Sequence, residues 1–155
     1  MTTPTNDASP EDFTGRSFGY LIVRLGEMVM ERGEMTLAPL NLTPREYNAM
    51  TCILDGEGMS QQDLSRKLGL YAPRMVPLID GLQTRGLVER TISASDRRRH
   101  VLSLTSGGRK LLTRAARMAA RLEADLFGHI SEAERAQLEV LVQRVADAPR
   151  KTPTR

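Results

Sequence analysis

The stretch "LVERTISASDRRRHVLSLT", residues 87–105, interrupts a chain whose apolar residues otherwise recur at helical spacing. "LVERTI" and "HVLSL" alternate and carry β-branched residues, which predicts two strands. "SASDRRR" between them is their loop. The segment therefore predicts a β-hairpin whose tip carries one acid, Asp96, and three cations, Arg97, Arg98 and Arg99, with His100 opening the return strand. A hydrophobic core has no use for three adjacent guanidiniums. They form either a solvated charge run or a contact for a polyanion.

The segments on either side are helical. Phe18, Leu21, Ile22, Leu25, Met28 and Val29 share one face and predict a first helix from about residue 13 to residue 35. "LTPREYNAM" is a helix start: Thr43 caps, Pro44 takes the first helical position, and Glu46 completes a capping box. That helix is expected to end near Asp55. In "MSQQDLSRKLG", Ser60 caps, Asp63 suits the helix N-terminus, Leu64 and Leu68 face inward, and Gly69 stops the helix. Another start follows at once in "YAPRM", with Pro73 expected at the first position. Met75, Leu78, Ile79 and Leu82 then make one apolar face, and Gly86 ends it. Two short helices on a tight turn make a helix-turn-helix unit. After the hairpin, Thr105 caps a long helix in which Leu112, Ala115, Ala119, Leu122 and Leu126 are spaced 3, 4, 3, 4, a seam that fits a helical partner. Ser131 and Glu134 open a last helix striped by Leu138, Leu141, Val142 and Val145.

The chain has 155 residues, which suits one domain, and its 40% hydrophobic and 26% charged content argues against global disorder. No apolar run approaches the roughly 20 residues of a membrane span. "MTTPTNDASPED" has neither a basic start nor an apolar stretch, so residues 1–12 are expected to be a disordered arm rather than a secretory signal. Residues 148–155 are expected to be a loose tail, and the protein cytoplasmic. A single cysteine excludes an intramolecular disulfide. Ten basic residues and four acids fall between Ser60 and Lys110, a net +6 in a chain whose total is +3, so the remainder carries −3. A basic middle between acidic flanks points to a nucleic-acid face, with a solvated basic surface as the other account.

The element order is that of a winged helix-turn-helix lobe between terminal helices, mainly α with a small β-hairpin. "LTPREYNAM", "MSQQDLSRKLG", "LIDGLQTRGLVER" and "DRRRHVLSLTSGG" resemble the successive signatures of the MarR family of bacterial transcription regulators, over about residues 13–146. "GLVER", an Asp-x-Arg hairpin tip and "LSLT" are specific jointly and weak singly. The resemblance implies a single domain over 13–147. Its winged helix-turn-helix spans about 43–105, and its dimerisation helices span about 13–35 and 106–147. It implies a homodimeric transcriptional regulator, repressor or activator, on a palindromic duplex-DNA operator, modulated by a small-molecule effector and without a cofactor. Leu21, Leu25, the Leu112–Leu126 seam and the Leu138–Val145 stripe are then the dimerisation residues. Arg98 would enter the minor groove, where narrowing concentrates negative potential. Asp96 would brace the arginines, and Arg97, Arg99 and His100 would meet phosphates.

Ser60, Gln61 and Gln62 open a helix, where backbone N–H groups and short polar side chains suit phosphate; for Ser60 plain capping is an equal account. The next helix departs from the family pattern, which often has Ser or Thr near its start and Arg at the positions of Pro77 and Gly81. Pro77 removes an amide donor and crowds the carbonyl of residue 73, which should kink or tighten the helix. Arg74 is its one long basic reader, able to reach a guanine edge, while Tyr71, Ala72 and Pro77 suit thymine methyls or sugar. That departure keeps open a second reading, a winged-helix protein-interaction module with weak or lost DNA binding. Cys52 reads as inert core, and Met28, Met30, Met35 and Met118 as core filling rather than the lining of an effector pocket. His100 and His129 lack ligand-like neighbours, so no metal site is expected. No nucleophile–base pair or phosphate loop argues for an enzyme.

Overall fold

The computed structural model describes residues 17–56, 58–70, 72–92 and 100–148, apart from the Ala72 side chain. The elements run α1 (Phe18–Leu37), a 3₁₀ turn (Ala38–Leu40), α2 (Pro44–Asp55), α3 (Gln61–Leu68), α4 (Ala72–Thr84), β1 (Val88–Ile92), β2 (His100–Leu104), α5 (Ser106–Phe127) and α6 (Glu132–Ala146). The expected terminal arm and most of the expected tail lie outside the described residues.

Local chemistry sets most helix starts. Thr43 Oγ1 accepts from the Glu46 amide at 3.2 Å while the Glu46 carboxylate accepts from the Thr43 amide at 2.8 Å. The same reciprocal box joins Ser60 to Asp63 and Ser131 to Glu134. Hydrogen bonds from Ser131 to the exposed Glu134 carboxylate hold it below the usual carboxylate range. Gly69 ends α3 at φ 62°, a left-handed conformation that glycine adopts without a Cβ clash. Two boundaries differ from expectation. Ser17 caps α1, which begins at Phe18 and continues to Leu37 rather than spanning 13–35. α4 begins at Ala72, so Pro73 is its second residue, a place where a missing amide hydrogen is equally harmless.

The core lies where α2, α3, α4 and the hairpin meet. Met50, Leu64, Met75, Ile79 and Leu82 are fully enclosed there. β1 and β2 pair antiparallel, with Val88 opposite Leu104 and Arg90 opposite Leu102. Val88, Leu102 and Leu104 turn into the core. The Leu102 amide donates to the Met59 carbonyl at 2.8 Å, which fastens the middle of β2 to the residue before the α3 cap, Ser60. α5 lies directly on the backbone of Leu87: a Cβ at Gly108 would collide with the Leu87 carbonyl.

Burial corrects part of the seam expected on α5. Leu112 is 4% exposed and Ala115 0%, and both pack within this chain's own core. Little of either side chain is left for a second copy, on a helix that packs against α1 and α2 of the same chain. Ala119, Leu122 and Leu126 further along α5 are only half-buried. α1 and α6 leave apolar side chains open: Phe18 is 74% exposed, Val145 is 73% exposed, and Leu21, Leu138, Leu141 and Val142 are exposed as well. Leu25 is half-buried. Met28 and Met35 are exposed on α1 and fill no core within the chain, contrary to expectation; Met118 packs against it.

Leu112→Ala should lower folding stability by about 2–5 kcal/mol, as deletion of a buried core side chain does. Gly108→Ala should cost about 1–3 kcal/mol, because α5 must move off the Leu87 backbone. Urea unfolding followed by circular dichroism measures both.

Candidate DNA-binding interface

α3 presents its N-terminus to solvent. The Ser60 hydroxyl is engaged in its own cap, donating to the Asp63 carboxylate at 2.6 Å. Gln62 is exposed and Gln61 half-buried. Arg66 pairs with Asp63 on the same helix.

α4 runs without a break through Pro77. Met75, Ile79 and Leu82 hold one side of it on the core. The opposite side carries exposed Pro73, Arg74, Pro77 and Asp80, and a Cβ added at Gly81 would meet open space. The missing Pro77 amide removes only the bond to residue 73, near the helix start, so the apolar face stays in register. Arg74 makes no hydrogen bond or ion pair among the described residues. Among those residues it is the one cation on the outward face of this helix.

Two arginines that sequence reasoning had not singled out hold α4 in place. Arg85, just beyond its end, donates to Glu46 at 3.0 Å and to the Asn41 carbonyl. Arg90 of β1 donates to Gln61 Oε1 at 2.8 Å and to Asp80 Oδ1 at 3.0 Å. The strand period offered a signal: Arg90 shares a face with buried Val88, and a cation on an inward-turned face needs a partner.

Of the residues expected at the hairpin tip, His100 is exposed at the start of β2, opposite Ile92. Asp96, Arg97, Arg98 and Arg99 lie outside the described residues, as do Tyr71 and the Ala72 side chain. The structure therefore brings Gln61, Gln62, Arg74 and Pro77 together on the lobe that carries the hairpin.

Two other features border this lobe. Between α2 and α5 lies an open groove of about 520 Å³ lined by Leu54, Arg109, Leu112, Thr113, Ala116 and Arg117. Arg109 and Arg117 have no partner among the described residues. Cys52 is half-buried, and burial pushes its thiol up, with Lys67 opposing and Asp55 adding to the shift. Among the described residues no group of His, Cys, Asp or Glu is arranged to hold a metal ion, and no helix is long and apolar enough to cross a membrane.

Two short helices crossing on a shared core, backed by a two-stranded wing, define a winged helix-turn-helix protein. Comparison with known proteins makes the assignment narrower. The MarR family model matches residues 42–100. A protein of Thauera aromatica assigned as transcriptional regulator of the hcr operon is 30% identical over 112 residues, covering 72% of this chain and 68% of that protein. The transcriptional repressor CouR, solved on a 23-mer DNA duplex, is 34% identical, with a TM-score of 0.77 over 84% of this chain and 92% of that one. CouR from Rhodococcus jostii RHA1, solved with p-coumaroyl-CoA, is 29% identical, with a TM-score of 0.82 over 88% and 96%. This chain belongs to the MarR family of transcriptional regulators. It is a DNA-binding regulator of transcription.

Pro77→Arg should tighten binding to duplex DNA and raise stability by about 1–3 kcal/mol, since it restores an amide donor and adds a cation to the outward face. Electrophoretic titration and thermal melting of the variant test this. Cys52 should react with iodoacetamide more slowly than glutathione at neutral pH, because a raised pKa leaves less thiolate. The gap should narrow as the pH rises.

Proposed function

We propose that this protein is a cytoplasmic, homodimeric repressor that occupies a palindromic operator and releases it when a small-molecule effector binds. The observation that carries this reading is the coupling of two surfaces in one chain. A helix-turn-helix and wing share one rigid lobe, and the terminal helices α1 and α6 hold apolar faces that the chain itself does not cover. A second copy on Leu21, Leu25, Ala119, Leu122, Leu126 and the α6 stripe would bury those faces. It would also set two lobes about one helical turn apart along the duplex. In the bound state Arg98 enters the minor groove, Arg97, Arg99 and His100 meet phosphates, and Arg74 reaches a base edge. Ser60, Gln61 and Gln62 lie against the backbone at the start of α3.

Effector control is supported by the relative that binds p-coumaroyl-CoA. The groove between α2 and α5, with apolar lining and two guanidiniums, Arg109 and Arg117, that are free among the described residues, suits an organic anion with an apolar body. A second reading, a winged-helix module that binds protein in place of DNA, has one specific observation in its favour. Pro77 and Asp80 occupy an outward α4 face with a single cation.

Sedimentation at micromolar concentration should give a dimer; a stable folded monomer would exclude the assembly. Arg98→Ala should weaken operator binding by about 1–3 kcal/mol. Arg97→Ala and Arg99→Ala should weaken all duplexes alike, each lowering the slope of log affinity against log salt by about one unit for every phosphate the protein no longer neutralises. Normal binding by the triple alanine variant would overturn the wing assignment. No salt-dependent duplex binding by the parent protein would favour the protein-interaction reading.

A further inference from the structure

We infer that Arg90 is a positioning residue for operator recognition, a bracket that sets α3, α4 and the wing relative to one another; this rests on the DNA-binding reading above. One guanidinium nitrogen, Nη2 of Arg90, donates to Gln61 Oε1 at 2.8 Å and to Asp80 Oδ1 at 3.0 Å. The three residues come from the start of α3, the outward side of α4 and the first strand of the hairpin. Inside the lobe, Leu64 and Met75 pack α3 against α4, but apolar contacts are non-directional and tolerate sliding. The Arg90 bracket supplies direction on the outside, where the duplex would lie.

Two chemical consequences follow. Asp80 is a carboxylate, with its side chain 52% exposed, on the surface that faces a polyanion. Uncompensated, it would repel phosphate; paired with Arg90, its charge is offset and its position is useful. The Gln61 amide oxygen is occupied by Arg90, so its two N–H donors are left for an acceptor outside the protein, a phosphate oxygen or a purine edge. Arg90 thus decides which end of the Gln61 amide meets DNA. Ordering these groups before contact lowers the entropy lost on binding.

The test uses the full-length protein and a duplex that the parent selects from a random-sequence pool, with an unrelated duplex as control. Affinity is measured over a salt series for Asp80→Asn, Arg90→Lys and Arg90→Ala, together with melting temperature. Asp80→Asn is informative by its sign. It removes a negative charge, so plain electrostatics requires tighter binding to both duplexes. The bracket requires weaker binding to the selected duplex, by about tenfold, the scale of one weakened base contact. Arg90→Lys keeps the charge but is a compact point donor rather than a fork, and should show a similar loss with an unchanged salt slope. Tighter binding of Asp80→Asn to both duplexes would overturn the inference. So would full affinity in Arg90→Lys, or a slope reduced by about one unit in Arg90→Ala, the mark of a direct phosphate contact. If Arg90→Ala does not fold, the other two variants carry the test. A parent protein that selects no duplex would refute the DNA-binding reading itself. A parent that selects one while all variants match it would refute the bracket alone.

Discussion

An eight-residue helix cannot hold its shape alone in water, and α3 is eight residues long. Everything at the proposed DNA-facing surface depends on how that helix is held. Leu64 anchors it by complete burial against Met75. The Ser60–Asp63 box satisfies orphan amides at its start, and Gly69 turns the chain at its end. Its approach is set from behind, where the Leu102 amide ties β2 to Met59. Burial, capping and this one backbone bond act on adjacent residues, so the α3 start, α4 and the wing base move as one body. Preorganisation of this kind makes contacts with a rigid duplex worth their full value.

The electrostatic design is uneven within that body. The outward face of α4 has one cation, Arg74, beside Pro77 and Asp80, while the neighbouring Arg90 is committed to Gln61 and Asp80. Cations held in internal pairs contribute direction more than attraction. The unassigned positive charge of the middle segment therefore sits largely in the hairpin sequence and on α5. On the proposed reading, such a regulator draws its affinity from phosphate and minor groove, and its specificity from a few positioned groups.

α1 and α6 answer a different constraint. A small lobe cannot bury every apolar side chain of two long terminal helices, and α6 has no residue buried within its own chain. The proposed second copy removes that surface from water, and in doing so it would space the two lobes. Arg135, bonded to Glu123 of α5 at 2.9 Å and to Glu139 of α6 at 3.1 Å, fixes the hairpin that these helices form. One exposed ion-pair cluster thus links α5 to α6, a weak restraint.

The sequence by itself determined the starts of α2, α3, α5 and α6, the paired strands and the family, because each rests on nearby residues or on a contiguous motif. Thr43 with Glu46, Ser60 with Asp63 and Ser131 with Glu134 are complete chemical units in the linear chain. What occupies an apolar face was not legible. The even seam from Leu112 to Leu126 reads as one surface, yet its first two members belong to the lobe and its last three lie half open. Nor was it legible that Met28 and Met35 would stand in solvent, or that Arg90 would join Gln61 to Asp80. Periodicity marks which side of a helix is apolar, and composition marks which side chains are charged. The partner of either is supplied by segments distant in sequence, and only the tertiary structure brings them into contact.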